Sequence, residues 1–309
     1  MRVGPRDPSL LARDMAQQAT LLSGLLASSD LAPARALLQV HDVVRLVGIG
    51  SSQHVAAYGA ACLESMGSRV ATVLAAPGSG VPQPRLSPED LLIVVSQSGA
   101  TPALLELTAD AREAGAGVLA LTNAPGSPLE DLAHTVLPCA AGQESVVPAT
   151  KSVTTAMLLL RALAAPVHAG AVHRLADAVA DTALPSVGIR PPGFVVAGGF
   201  AGKAVADEVS LKLAEVAGLA AVPESLVDFL HGPVAVPVPV LALVDDDDPN
   251  LPALGQLHLH RLRSATTGDQ SLDRIAQVAA GQLLALSWAR ELGVNPDDSK
   301  GLAKVTLTA

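Results

Sequence analysis

The chain alternates between two hydrophobic periods. Residues 9–29 (SLLARDMAQQATLLSGLLASS) place apolar side chains at helical spacing, and VVRLVGIGSS at 43–52 changes to a continuous apolar run ending in glycine and serine. The helical period resumes in QHVAAYGAACLESMG and closes at Gly67. The cycle then recurs, predicting strands at 71–76 (ATVLAA), 91–96 (LLIVVS), 117–123 (GVLALTN) and 134–139 (HTVLPC), a helix over 102–114 and a turn at PGSPL. Strands alternating with helices predict an α/β fold in which a parallel sheet is covered on both faces.

The chain also matches itself. One constant offset brings Gly48 opposite Gly199, Glu64 opposite Glu215 and Gly67 opposite Gly218. This predicts two copies of one α/β unit. An N-terminal helical segment spans 1–30, a first domain 31–185 and a second domain 186–309. Helices at 151–167 and 171–184 precede the proline-rich SVGIRPPG at the boundary. The second copy reads as shortened, with about one helix and a tail after LALVDDDD (241–248).

Composition narrows the partners. With 309 residues, 50% hydrophobic and 16% charged, the chain can bury sizeable cores, and two domains are the natural expectation. A net charge of −9 and 2% aromatic residues leave neither a basic surface nor stacking platforms, so nucleic acid is not an expected partner. Cys62 and Cys139 lack disulfide or zinc spacing and read as buried thiols. The N-terminus has no continuous apolar signal segment, and Lys151, Arg161, Asp228 and prolines interrupt the long apolar stretches. The expectation is a soluble cytoplasmic protein with no membrane partner.

Against this apolar background the strand-to-helix junctions stand out. Ser96, Gln97, Ser98 and Thr101 crowd the end of the 91–96 run, where helix N-termini favour anions. Hydroxyls, an amide and free N–H groups can ring a phosphate without a cation. Helix capping explains one such residue, but not the whole group. At GIGSS, capping and phosphate binding by Ser51 and Ser52 are equal readings. Neither loop has a Walker lysine or a three-glycine dinucleotide pattern, so no cofactor is expected.

In the second copy, DEVSLKLAE sets Glu208, Lys212 and Glu215 on one helical face. Apolar neighbours on that helix favour a cleft lining over an exposed salt-bridge ladder. His231 follows in FLHGPVAV and Lys304 in GLAKVTLTA. His41, His54, His134, His168, His173, His258 and His260 show no metal-ligand spacing, so no metal site is expected, and Asp245–Asp248 read as a solvated loop.

Together SQSGAT, NAPGSPL, ESVVPATKSVTT, EVSLKLAE, HGPVAV and NPDDSKGLAKVT resemble, in order, motifs of the sugar isomerase (SIS) family. The resemblance is to the tandem-SIS isomerase half of glucosamine-6-phosphate synthase and to related phosphosugar isomerases, deaminases and deglycases. It implies two SIS domains, each a parallel-sheet α-β-α sandwich of flavodoxin-like type, the second shortened. It implies that Ser52, Ser96, Gln97, Ser98 and Thr101 hold the phosphate of a hexose 6-phosphate or amino-sugar 6-phosphate. Glu215 would shuttle a proton between C1 and C2, His231 would help open the ring, and Lys304 would form an imine with the carbonyl or polarise it. Glu208 and Lys212 would support them, in a homodimer whose neighbouring subunit supplies the histidine. Ala149, Val209, Ser210 and Leu230 depart from the family pattern. With no glutaminase domain or N-terminal cysteine nucleophile, the expected reaction turns an aminohexose 6-phosphate into a ketohexose 6-phosphate and ammonia. The alternatives are a fructosamine-6-phosphate deglycase and a non-catalytic sugar-phosphate sensor.

Overall fold

The structure is a computed structural model that describes residues 9–67, 70–182, 192–255, 259–262 and 267–298. Lys304, most of SVGIRPPG and the side chains of His258 and His260 lie outside the described residues. The chain forms two compact units. One gathers residues 24–144 and 151–167, and the other the described parts of 1–23, 145–150 and 168–301.

Three helices lead in, α1 (Leu10–Ala16), α2 (Gln18–Ser28) and α3 (Ala32–Gln39). The helical period of 9–29 is therefore broken at Gln17. Then follow β1 (Val43–Val47), α4 (Ser51–Gly67), β2 (Val70–Val73), β3 (Asp90–Ser96), α5 (Pro102–Glu113), β4 (Gly117–Thr122), α6 (Pro128–Leu132), β5 (Thr135–Pro138) and α7 (Lys151–Ala164). The expected turn at PGSPL contains the start of α6, because Pro128 in its first turn is pre-set for helix.

All five strands of this unit run parallel in the order β2-β1-β3-β4-β5, the flavodoxin-like order. Central β3 is buried at every position, as expected for a strand covered on both faces. α4 and α7 pack closely through Gly59, where a Cβ would come within 2.5 Å of Leu160.

The other unit contains α8 (Ala169–Asp181), β6 (Phe194–Ala197), α9 (Gly202–Ala217), β7 (Val222–Ser225), α10 (Leu226–Leu230), β8 (Val240–Leu243), β9 (Leu259–Arg261) and α11 (Gln270–Glu291). Its parallel sheet runs β7-β6-β8-β9, which repeats the first four positions of the other sheet. The expectation of only a helix and tail after residue 248 is thus corrected by β9, three residues long and paired with β8. α11 packs on α8 and α9, and is buried at all but its last residues and Gln270 and Asp273. Val209, one of the departures from the family pattern, fits against α11 because Gly281 has no Cβ, which would lie 2.4 Å from the valine.

Candidate functional site

In a parallel sheet of this order, ligand crevices form beyond the carboxyl ends of the strands. The loop after β3 lies there. Ser96 ends the strand buried, while Gln97, Ser98, Ala100 and Thr101 are half-buried. Gly99 turns left-handed, with φ of 59°. The loop is organised by its own side chains: Gly99 N–H donates to Ser96 Oγ at 3.1 Å and Ala100 N–H to Ser98 Oγ at 3.3 Å. Each serine thereby accepts a bond and keeps its hydroxyl proton to give. Thr101 occupies the N-cap of α5 without accepting a bond there, so capping does not account for its hydroxyl.

The β1–α4 junction lies beside it. Gly48 is required by close approach, since a Cβ would stand 2.4 Å from the backbone of Ser52. Ser51 and Ser52 open α4 half-buried. Gln53, unremarked in the sequence, braces the junction by accepting from Gly48 N–H at 2.9 Å and donating to Leu74 carbonyl at 2.8 Å. Near the β3 loop a cavity of about 910 Å³ is lined by Gln97, Thr122, Asn123, Pro138 and Glu144, among others. Beyond β5, burial and the nearby Glu144 carboxylate push the Cys139 thiol up to about 12, so it is no nucleophile at neutral pH.

In the other unit, α9 carries Glu208, Lys212 and Glu215 on one face, and they are not an exposed ladder. Lys212 is fully buried and Glu208 nearly so. The ammonium stands 3.5 Å from Glu208 and also hydrogen-bonds Glu215, whose side chain is 16% exposed. A buried cation thus backs a carboxylate that reaches solvent. His231 caps the end of α10, exposed.

Sequence reasoning missed a second buried ionic group. Arg274 of α11 is fully buried and pairs with Asp245 just beyond β8, with one nitrogen–oxygen distance of 3.3 Å and a second, shorter contact. It also donates to Gln277 at 2.6 Å and to Phe200 carbonyl at 3.1 Å. Asp245 is therefore not part of a solvated loop, although Asp246 and Asp247 are exposed. Among the described residues, no group of three or more His, Cys, Asp or Glu could hold a metal ion, and no helix is long and apolar enough to cross a membrane.

A hydroxyl-lined loop at the carboxyl end of a parallel sheet's strands is a place where α/β proteins bind small ligands, and comparison with known proteins narrows the class. Residues 37–166, which contain the whole five-stranded sheet, match the SIS domain family model. Over 330 aligned residues it is 28% identical to the glutamine–fructose-6-phosphate aminotransferase (isomerizing) of Symbiobacterium thermophilum, covering 91% of this chain and 54% of that protein. The Halobacterium salinarum enzyme of the same name is 34% identical over 229 residues, 67% of this chain and 37% of that one. The chain spans about half the length of the first of these curated relatives. A candidate phosphosugar isomerase of Silicibacter pomeroyi DSS-3 superposes with a TM-score of 0.80 at 26% identity, covering 94% of this chain and 100% of that one. A glucosamine-6-phosphate deaminase of Thermotoga maritima has a TM-score of 0.78 at 17% identity over 97% and 100% of the two chains, a likeness of fold.

Proposed function

We propose that the protein is a phosphosugar isomerase that acts on an aminohexose 6-phosphate and releases ammonia, as a cytoplasmic homodimer. The reading carries furthest on Glu215: a base that moves protons at carbon must reach substrate yet be held in place, and this carboxylate reaches solvent while a buried ammonium fixes it from behind. Ser51, Ser52, Ser96, Gln97, Ser98 and Thr101 hold the phosphate. His231 opens the ring. Glu215 takes the proton from C2 and returns it to C1, leaving an imine at C2. Water then hydrolyses the imine to the ketone and ammonia. Glu208 and Lys212 position the base, and Lys304 supplies the cation for charge developing at the carbonyl. The second sheet, which repeats the strand order of the first, is a shortened SIS copy in this reading.

The test is a panel of amino and neutral hexoses with and without 6-phosphate, scored for ammonia release, aldose–ketose conversion and binding. The expected result is turnover of a phosphorylated amino sugar, with the unphosphorylated sugars bound far more weakly. Equal affinity for a sugar and its 6-phosphate rejects the phosphate assignment, and tight binding of sugar phosphates with no turnover of any rejects the enzyme.

A further inference from the structure

One hydroxyl beside the β3 loop has no use in the fold. Ser127 is 5% exposed, and its Oγ makes no hydrogen bond among the described residues. It stands at the N-cap of α6, where serine ordinarily accepts from the helix, yet its side chain does not cap. The hydroxyl is turned instead toward Gly99, lying 2.1 Å from where a Cβ of that residue would be, with Thr122 Oγ1 also beside Gly99. A buried hydroxyl without a partner is unfavourable and rare enough to call for an explanation.

Resting on the phosphate-site reading above, we propose that Ser127 is a positioning residue of the anion loop: with phosphate bound, its hydroxyl donates to the Gly99 carbonyl and turns the neighbouring N–H toward the anion. The carbonyl of Gly99 already accepts from Leu129 N–H at 3.0 Å, on the side of the loop where Ser127 lies. A carbonyl oxygen has a second lone pair to offer. The Gly99–Ala100 peptide is planar, so a carbonyl held toward α6 sends the Ala100 N–H the opposite way. That N–H now rests on Ser98 Oγ at a long 3.3 Å. Two donors below the peptide would release it to a phosphate oxygen above. Gly99 is bound into the device twice, by its left-handed φ and by the space that Ser127 Oγ fills.

The experiment compares the full chain with Ser127→Ala and Ser127→Thr, measuring inorganic phosphate and hexose 6-phosphate affinity by calorimetry and Tm without ligand. Loss of one hydrogen bond to the loop should weaken phosphate binding of Ser127→Ala about tenfold, while Tm stays level or rises because an unpartnered buried hydroxyl has gone. Ser127→Thr keeps the hydroxyl and should bind within about threefold of the parent. In a parallel NMR titration the Ala100 amide should move on phosphate addition in the parent and less in Ser127→Ala, a readout that does not depend on how the threonine packs. Parent-like phosphate affinity in Ser127→Ala overturns the proposal, as does an affinity loss matched by a fall in Tm, which marks an ordinary structural residue. A parent that binds neither phosphate nor any sugar phosphate overturns the underlying phosphate site as well, and so separates the two failures.

Discussion

The loops after β3 and β8 hold the same place in two sheets of matching strand order, and they are built from opposite chemistry. Beyond β3 there are serine, glutamine and threonine, half-buried, with hydroxyl protons still to give. Beyond β8 there is an aspartate whose carboxylate is already met by a fully buried arginine and by Gln270 at 3.2 Å. One end of one frame presents half-buried hydroxyls, which we propose receive an anion, while the other carries an internal anion matched by an internal cation. The frame does not dictate function; the side chains placed at its switch point do.

The largest expected effect lies in the first loop. Replacing both Ser98 and Thr101 by alanine should remove two hydrogen bonds to a charged phosphate, together about 3–6 kcal/mol of binding, with little change in thermal stability. Calorimetry with hexose 6-phosphate checks it, and an unchanged affinity would erase the contrast between the loops. The second loop should answer in the opposite currency. Arg274→Met leaves Asp245 without its buried partner and should cost about 3–5 kcal/mol of stability by denaturant unfolding, with sugar-phosphate affinity of the remaining folded protein unaltered.

A smaller difference lies in the helix packing. Gly281→Ala drives a methyl against the branched Val209 and should cost about 1–3 kcal/mol. Gly59→Ala meets the end of the longer Leu160, which has a rotamer to yield, and should cost less. Equal losses in the two variants would mean that the packing tolerances of the two units are alike.

The smallest effect is a pH dependence of opposite sign in the two units. His134 accepts from Val118 N–H at 3.0 Å, and partial desolvation of the ring, then Arg112 and His41, hold its pKa below the ordinary 6.5. Its contribution is present above 6.5 and is lost as pH falls through that value toward the lowered one. Asp273 in the other unit is raised above 3.8, chiefly by burial, so its ionisation opposes stability at neutral pH and acid relieves it. Hydrogen exchange at about pH 7.5 and 5.5 should show acid weakening protection around Val118, and that change should disappear in His134→Gln. Equal acid sensitivity in parent and variant would remove His134 from the account.

The contrast between loops was half legible in the sequence. Ser96 to Thr101 stood out because a polar cluster interrupts apolar runs, and strand-end position alone gives such a cluster meaning. Asp245 read as solvated because its partner lies 29 residues away on α11, and a charge inside a long apolar helix does not announce what it meets. The face of Glu208, Lys212 and Glu215 followed from spacing, but periodicity names a face and not what covers it, so the complete burial of Lys212 came only with the packing. β9 escaped because Leu-His-Arg is too short and polar to register as a strand, and sheet pairing overrides weak local preference. Gln53 carried no signal, and Ser127 stood in the quoted NAPGSPL stretch without a role of its own, since a lone amide or hydroxyl gains importance from its neighbours in space.

If Glu215 moves a proton between adjacent sugar carbons, solvent deuterium enters C1 or C2 of amino-hexose and ketohexose 6-phosphates, which NMR follows directly. Exchange is expected in the parent, and in Glu215→Gln a loss of roughly a hundred- to ten-thousand-fold in rate with sugar-phosphate affinity nearly unchanged. Exchange that persists undiminished in Glu215→Gln would contradict the assignment of the base, and the absence of exchange with every sugar phosphate the parent binds would contradict the isomerase itself.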